Sequence, residues 1–427
     1  MTKNNTASID VSQVTGLGQD RVSADVSSPS TAVERRVLAK MLKSFGEPAI
    51  RVRLWDGYDI APTSKPALVT VNITTRSSLK KLFIQQGVGF GDEYAAGRII
   101  VDGDLLDFVV AMSESRMDIE EKGGIAEAMM KVAQRRPRVN TLEGSKANIH
   151  HHYDLGNSFY RLWLDEKMQY TCAYFPDQTI SLEQAQHAKL DHVCRKLQLK
   201  PGDRVAEAGC GWGGLARHMA QHYGVKVRAY NISHEQVAFA REQAEREGLS
   251  DSVEYVLDDY RNLDGKFDAF VSVGMLEHVG TKNYCELGGV INRCLSDSGR
   301  ALIHTIGRNQ PRLMSAWIEK RIFPGAYPPT LREMMDIVEP YNFSILDVEN
   351  LRLHYAKTLE HWLDRFDKQE TAVAEMFDDA FVRAWRLYLS GSIAAFLTSS
   401  LQLFQMVFAR GRDNTVPWSR EHIYSAN

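Results

Sequence analysis

The chain has 427 residues, 44% of them hydrophobic and 25% charged, an ordinary balance for a globular protein with room for two domains and a large core. Its formal net charge of -3 provides no global field to draw in phosphates, which argues against nucleic acid as a partner. The five cysteines (Cys172, Cys194, Cys210, Cys285, Cys294) are odd in number and lack metal-ligand spacing, as expected of a reduced cytoplasmic chain.

Residues 1–30 are rich in Ser, Thr, Asn, Asp and Gly and carry no apolar period, so a disordered tail is expected, without the apolar run of a signal peptide. Over 31–115 the composition turns globular. VERRVLAKMLKSF predicts an amphipathic helix, and IRVRLW, ALVTVNI and RIIVDGDLLDFV predict strands and a helix around the turn Asp102-Gly103, together a small α+β domain. A charged helical connector over 116–144 ends in KVAQRRPRVN. Its Arg135, Arg136 and Arg138 read either as a solvated linker or as a contact for anionic headgroups. The run His150-His151-His152 is not expected to bind metal, because three adjacent side chains cannot converge on one ion in a helix or a strand.

From 145 to 427 strands and helices alternate. RVAEAG (204–209), VKVRAY (225–230), VEYVL (253–257), DAFVSV (268–273) and RALIHT (300–305) predict strands, each of the first four followed by a helical pattern. That alternation predicts a parallel, doubly wound α/β sheet whose ligands bind beyond the carboxyl ends of the strands. The stretch 387–409 carries no charge and is long enough to span a bilayer. Its Ser, Thr, Gly and Gln content is too polar for a lipid-facing helix, and its pattern changes near Ser399-Ser400 from a helix to the strand QLFQMVF.

RVAEAGCGWGG runs from a strand into a helix through Gly209, Gly211, Gly213 and Gly214. Glycines there allow a tight turn and let a ligand approach the backbone, although a tight turn with no ligand gives the same pattern. A dinucleotide site would place an acid at the end of the second strand, which here reads Tyr230-Asn231-Ile232-Ser233. Glu207 just before the glycines, and Asp258-Asp259-Tyr260 after the third strand, favour S-adenosylmethionine (SAM) instead.

Beyond the loop, HYDLGNSFYRLWLD (152–165), MQYTCAYF (168–175), NISHEQ (231–236), DDYRNL (258–263), SVGMLEHVG (272–280), HTIG (304–307) and PPTLREM (328–334) resemble the cyclopropane-fatty-acyl-phospholipid synthases in order and spacing over about 145–412. The resemblance implies a Rossmann-like seven-stranded SAM-methyltransferase domain behind the small N-terminal α+β domain. It implies that Tyr170 and Thr171 border the methionine part of SAM. The backbone of Gly209, Cys210, Gly211 and Gly213 would lie along the homocysteine part, Asn231 and Gln236 would bond the ribose, and Asp259 and Tyr260 would hold adenine. Glu207 and Asn231 depart from the commoner Asp and Thr but keep hydrogen-bonding capacity. The resemblance further implies a bicarbonate base held by Cys172, Glu277, His304, Ile306 and Tyr355. Taken singly, Cys172 reads as a buried small hydrophobe, His304 as a core histidine and Glu277-His278 as an ion pair at a helix start. Some relatives carry a Cys where this chain has Ser392, so a nucleophilic cysteine from that helix is excluded.

An isolated alkene is a poor nucleophile, so the implied reaction needs a sulfonium donor held in near-attack geometry and a dry pocket for the carbocation that forms. Trp212, Phe323, Trp362, Trp385 and Phe396 are candidate walls, though core packing accounts for each equally well. The expected substrate is unsaturated phospholipid, met by a homodimer at the cytoplasmic face of the membrane. Rivals are a relative giving methyl- or methylene-branched chains, a carrier-linked mycolic-type enzyme, and a non-catalytic lipid-binding protein. The mycolic-type enzymes lack an N-terminal domain of this kind.

Overall fold

The computed structural model describes residues 28–85, 87–122 and 155–424, and the side chains of 116–122 are left aside. The tail to residue 27, Arg135, Arg136, Arg138 and His150 to His152 therefore lie outside the described residues. The chain divides into two compact units, each assembled from separated segments.

The first unit comprises Met1–Val132, Ser315–Pro324 and Leu359–Thr398. Thr31 begins its first helix, Ala32–Ser44, with a reciprocal cap: its hydroxyl accepts from Glu34 N, and its own N–H donates to the Glu34 carboxylate (2.7 Å). A four-stranded sheet follows in the order β2-β1-β3-β4, with β1 Ile50–Leu54, β2 Asp59–Ile60, β3 Val69–Ile73 and β4 Ile99–Asp102. Alternate residues of β1 and β3 are buried, which is the period-2 pattern visible in IRVRL and VTVNI. The later segments close on the short helix Gly89–Ala95. A Cβ on Gly91 would lie 2.3 Å from the Trp317 indole, so only glycine admits that ring. Arg321 pairs with Asp92 (2.7 Å), and Arg383 Nε donates to the Ala95 carbonyl (2.7 Å).

The second unit comprises Ala133–Met314, Gly325–Thr358 and Ser399–Asn427. Its seven strands run in the order β10-β11-β9-β8-β5-β6-β7. They are β5 Arg204–Ala208, β6 Lys226–Asn231, β7 Val253–Leu257, β8 Phe267–Val273, β9 Leu295–Gly307, β10 Phe343–Asn350 and β11 Gln402–Arg410. Five of the strands match the sequence-predicted segments within a few residues at each start, β9 beginning earlier at Leu295. Successive residues of the central strands enter opposite apolar layers, Phe270, Ile303 and Met406 on one face and Val271, Leu302 and Val407 on the other. The sheet is the Rossmann-like one expected. The chain winds outward from β5 through β6 to β7, then returns to place β8 on the other side of β5. Ligands are expected at that switch, beyond the carboxyl ends of β5 and β8.

Two expectations need correction. The sheet is mixed, because β11 runs antiparallel between β9 and β10. The third strand, β7, is followed by a short 3-10 turn, Tyr260–Asn262, in place of an α-helix. The uncharged stretch does change from helix (Asp379–Leu397) to strand (β11) where expected, and the turn places Ser399 at φ +64°. Among the described residues no helix is long and apolar enough to cross a membrane. Residues 402–409 of β11 lack charge because they are buried on both faces between two strands.

Candidate active site

The glycine loop leaves β5 and doubles back immediately. The N–H groups of Gly209 and Cys210 both donate to the Tyr230 carbonyl at the end of β6 (2.9 and 3.1 Å), and Gly213 N–H returns to Cys210 O (2.8 Å). The next helix, Gly214–Tyr223, starts there. A cavity opens over the turn, lined by Tyr170, Thr171, Lys189, Glu207, Gly209, Cys210, Gly211, Trp212, Asn231 and Gln236, with Val273, Gly274, Met275 and His278 from the end of β8. The structure therefore brings together most of the residues assigned to SAM. Asn231 Nδ2 lies 3.1 Å from Gly211 O and 2.8 Å from Gln236 Oε1, which ties the ends of β5 and β6 at one polar corner.

Gly213, Asp259 and Tyr260 do not line the cavity. Gly213 caps the helix, with its carbonyl accepting from Tyr255 Oη (2.8 Å). Asp259 follows β7, where Asp258 N–H bonds the Asn231 carbonyl (3.1 Å). Its carboxylate accepts from Arg261 N (3.0 Å) and Arg261 Nη1 (3.3 Å). Tyr260 is buried in the apolar layer beside it, under the Arg261 guanidinium at 5.1 Å.

Two observations test whether SAM suits this cavity. A Cβ on Gly211 would meet no protein atom within 4 Å, so the loop leaves open space there. Glu207 is buried with Oε2 unpartnered, and burial pushes its carboxyl up to about 8 although Lys189 and Arg217 favour the charged form. A sulfonium would restore the missing opposite charge. The residues fit the group.

Lys189 was not singled out by sequence reasoning. It is fully buried, pushed down to about 8 by desolvation, and donates to Gln169 Oε1 (2.8 Å) and Thr171 Oγ1 (2.9 Å), thereby holding the Tyr170-Thr171 segment. The signal was present in the sequence: Lys189 lies on the buried face of Leu182–Leu197, between Ala185, Gln186 and Val193.

The second group of residues adjoins the first at β8 and β9. Gly274 N–H donates to the His304 carbonyl (2.9 Å), so the cavity wall and β9 meet there. Glu277, on the turn Leu276–His278, accepts from Ile306 N–H through Oε1 (2.6 Å), while its buried Oε2 has no partner. Burial pushes this carboxyl up to about 7. The Ile306 amide is thus held by Glu277. His304 Nδ1 faces Gln405 Nε2 at 3.0 Å. With that amide donating, the proton sits on Nε2, which is buried and unpartnered, and desolvation keeps the ring neutral. Cys172 Sγ lies 3.1 Å from Ala173 O and 3.9 Å from Leu351 O, and burial pushes the thiol up, so it remains protonated. Tyr355 N–H donates to that same Leu351 carbonyl, while Leu351 N–H donates to Leu403 O, and Leu403 sits opposite Ile306. Glu277, Ile306 and His304 thus meet at the end of β9, and backbone bonds through Leu351 and Leu403 link the segments carrying Cys172 and Tyr355 to the neighbouring β11.

Of the candidate aromatic walls, only Trp212 belongs to this unit. It bonds Asn157 Oδ1 (2.7 Å) and packs on Tyr160 (5.0 Å), which gives residues 155–165 of the HYDLGNSFYRLWLD segment a place under the cavity. Phe323, Trp362, Trp385 and Phe396 belong to the first unit, where Phe323 meets Tyr388 edge-on at 5.6 Å. Ser392 donates to the Tyr388 carbonyl one turn back (2.8 Å).

The family model described as mycolic acid cyclopropane synthetase matches residues 141–406. A probable fatty acid methyltransferase of Pseudomonas putida is 35% identical over 404 residues, 91% of this chain and 99% of its own. The cyclopropane-fatty-acyl-phospholipid synthase of Escherichia coli (strain K12) is 45% identical over 264 residues, 62% of this chain and 68% of its own. A crystal structure of a mycolic acid cyclopropane synthase complexed with SAH and CTAB is 28% identical, covers 62% of this chain and 97% of its own, and superposes with a TM-score of 0.59.

Proposed function

The chain belongs to the mycolic acid cyclopropane synthetase family and is a SAM-dependent C-methyltransferase, and from that premise we propose that it builds a cyclopropane ring on the cis double bond of unsaturated phospholipid acyl chains, with bicarbonate as base. The observation that carries this reading is the Glu277 carboxylate, anchored by Ile306 N–H with its second oxygen buried and unsatisfied. A buried polar atom without a partner costs free energy unless a ligand satisfies it.

When bound, SAM supplies an electrophilic methyl group and bicarbonate a base. The chain's own residues bind and orient them. Glu207 would oppose the sulfonium charge, Asn231 and Gln236 would hold the ribose hydroxyls, and the Gly211 backbone would admit the amino-acid portion. Glu277 Oε2 would accept an O–H of that base, while His304 Nε2–H would donate to its oxyanion. Cys172 adds a neutral thiol, and the Tyr160–Trp212 aromatic contact keeps water out beneath the loop.

The test is incubation with SAM and vesicles of cis-unsaturated phospholipid, followed by proton NMR of the released acyl chains. Upfield cyclopropyl resonances are expected. A second reading, methyl- or methylene-branched products, is favoured by one observation: the relative matching 91% of this chain is named a probable fatty acid methyltransferase. Branched products in that assay would replace the first reading with the second, and absence of SAM turnover would remove both.

With no helix able to span a bilayer among the described residues, we propose peripheral contact with the cytoplasmic face of the membrane, made by a homodimer. Arg135, Arg136 and Arg138 are the proposed headgroup contacts, worth about 1 kcal/mol each near an anionic surface at low salt. Co-sedimentation with anionic vesicles is expected to weaken when all three are replaced by Gln, and equally when salt is raised on the native chain. Indifference to both changes would remove the arginines from the contact. Light scattering at micromolar concentration is expected to give twice the chain mass.

A further inference from the structure

The helices Leu182–Leu197 and Gly214–Tyr223 pack together, and four metal-ligating side chains meet between them. His187 and Asp191 stand one turn apart on the first helix, His218 and His222 one turn apart on the second, so each pair shares a face. One ligand nitrogen from each of the three histidines lies within 4.8 Å of the other two. The rings cluster accordingly, with centroids of His218 and His222 4.5 Å apart and those of His187 and His218 4.8 Å apart.

We propose that His187, His218 and His222 form a binding site for a divalent transition metal of the zinc type, with Asp191 orienting the ligands. The hydrogen bonding supports this independently of the spacing. His218 is fully buried, and its Nε2 is held by Asp191 Oδ1 at 2.8 Å, while Nδ1 is buried with no partner. A metal-ligating histidine commonly donates its second nitrogen to a carboxylate, which fixes the tautomer and leaves the other lone pair for the ion. His187 repeats the arrangement, with Nδ1 3.3 Å from Asp191 Oδ2 and Nε2 remaining. Tyr223 Oη, 3.2 Å from Asp191 Oδ1, steadies the carboxylate.

Tetrahedral zinc with bonds of about 2.0–2.1 Å brings ligand nitrogens to roughly 3.4 Å from one another, so nitrogens within 4.8 Å must close by up to about 1.4 Å. His187 and His222 are exposed, which leaves their rings room to adjust, gives an ion access and leaves the fourth position to water. The Lys167 charge bears on His218 and His222 and opposes a cation, and Asp191 offsets it. None of the four side chains lines the SAM cavity, yet both helices serve it: one starts at the glycine loop, the other carries Lys189. An ion here would clamp the two elements that shape the cavity.

The test uses the full chain, stripped with a chelator and dialysed, then titrated with Zn2+ and separately with Co2+. The native chain is expected to take up one Zn2+, to show the visible absorption of tetrahedral Co2+, and to gain thermal stability with zinc. The double variant His187→Ala/His222→Ala changes only exposed rings, so it is expected to fold and to lose all three signals. Zinc could also be taken up at the His150 to His152 run or at the exposed Cys285 thiol. Uptake there would persist in the double variant. Native stoichiometry in that variant, or no uptake by the native chain, overturns the proposal.

Discussion

Glu277→Gln is expected to lower turnover by about 10²–10⁴-fold, the usual worth of a positioned base, while leaving SAM affinity nearly unchanged. The substitution is almost isosteric, and its amide oxygen can still accept from Ile306 N–H, now bonded at 2.6 Å to Oε1. What changes is the other terminus. Oε2, a buried acceptor without a partner, becomes an NH2 donor, which cannot receive the O–H of a base and orient it. If Asp259 holds adenine as the family resemblance implies, although it does not line the cavity and its carboxylate accepts from Arg261, Asp259→Ala should behave oppositely, weakening SAM by roughly 1–3 kcal/mol with activity recovering at high SAM. Calorimetric SAM titration beside lipid turnover separates the two. Normal turnover by Glu277→Gln, or a loss explained by absent SAM binding, would sink the bicarbonate reading.

The pH dependence follows from the same carboxyl. Burial raises it from 4.5 to about 7, and with Oε1 accepting from Ile306 N–H its protonated form presents a donor at Oε2 in place of an acceptor, so native turnover should fall as pH drops below about 7. The Gln variant should lack that limb. For stability the sign is reversed: a raised carboxyl means the folded chain binds the extra proton, so this contribution is fully present below about 4.5 and is lost as pH rises through about 7. Above that pH, Glu277→Gln should unfold at a temperature equal to or higher than the native chain, the pattern of a site that trades stability for function.

Much of this was legible in the sequence because its signals are local. Period-2 alternation marked β1 and β3, the alternation of strand-like and helical patterns marked the central sheet, and the glycines before a helix marked the nucleotide loop. The antiparallel β11 was legible as a strand but not in direction, since direction is set by the connection through Asp379–Leu397 and its Ser399 turn. Lys189 escaped notice because a lysine in a helix normally reads as a solvated charge, even at a position in helical register with Leu182, Ala185 and Val193; its burial beside Thr171 and Gln169 shows otherwise. The gathering of Ser315–Pro324 and Leu359–Thr398 by the N-terminal segment has no local signal at all. It shows in contacts between segments far apart in sequence, among them the missing Cβ at Gly91 against Trp317, the Asp92–Arg321 pair and Arg383 reaching the Ala95 carbonyl. The histidine cluster was invisible for the same reason, because its pairs belong to helices separated by β5.

Gly213→Ala is expected to cost roughly 2–5 kcal/mol of stability, the sum of about 1–2 for a left-handed alanine and about 1–3 for forced overpacking. At φ +77° its new Cβ would lie 2.4 Å from Tyr255 Oη, a buried ring that already donates to the Gly213 carbonyl. Tyr255 cannot retreat without losing that bond, so the loop must shift and SAM binding should fall with stability. Gly211→Ala should separate the two losses. Gly211 also sits at positive φ (+52°), but its Cβ would meet nothing in the protein and it borders the cavity. Gly248→Ala, at φ +69° with open space around its Cβ, supplies the cost of left-handed strain alone. Urea unfolding should place the 211 and 248 variants together, each losing about 1–2 kcal/mol. Calorimetry should then show SAM affinity unchanged for the 248 variant and lowered more than about ten-fold for the 211 variant, a methyl having filled space reserved for ligand. If Gly211→Ala binds SAM like the 248 variant, the ligand does not run along this loop. If Gly213→Ala is as stable as either, the contact with Tyr255 does not hold the loop.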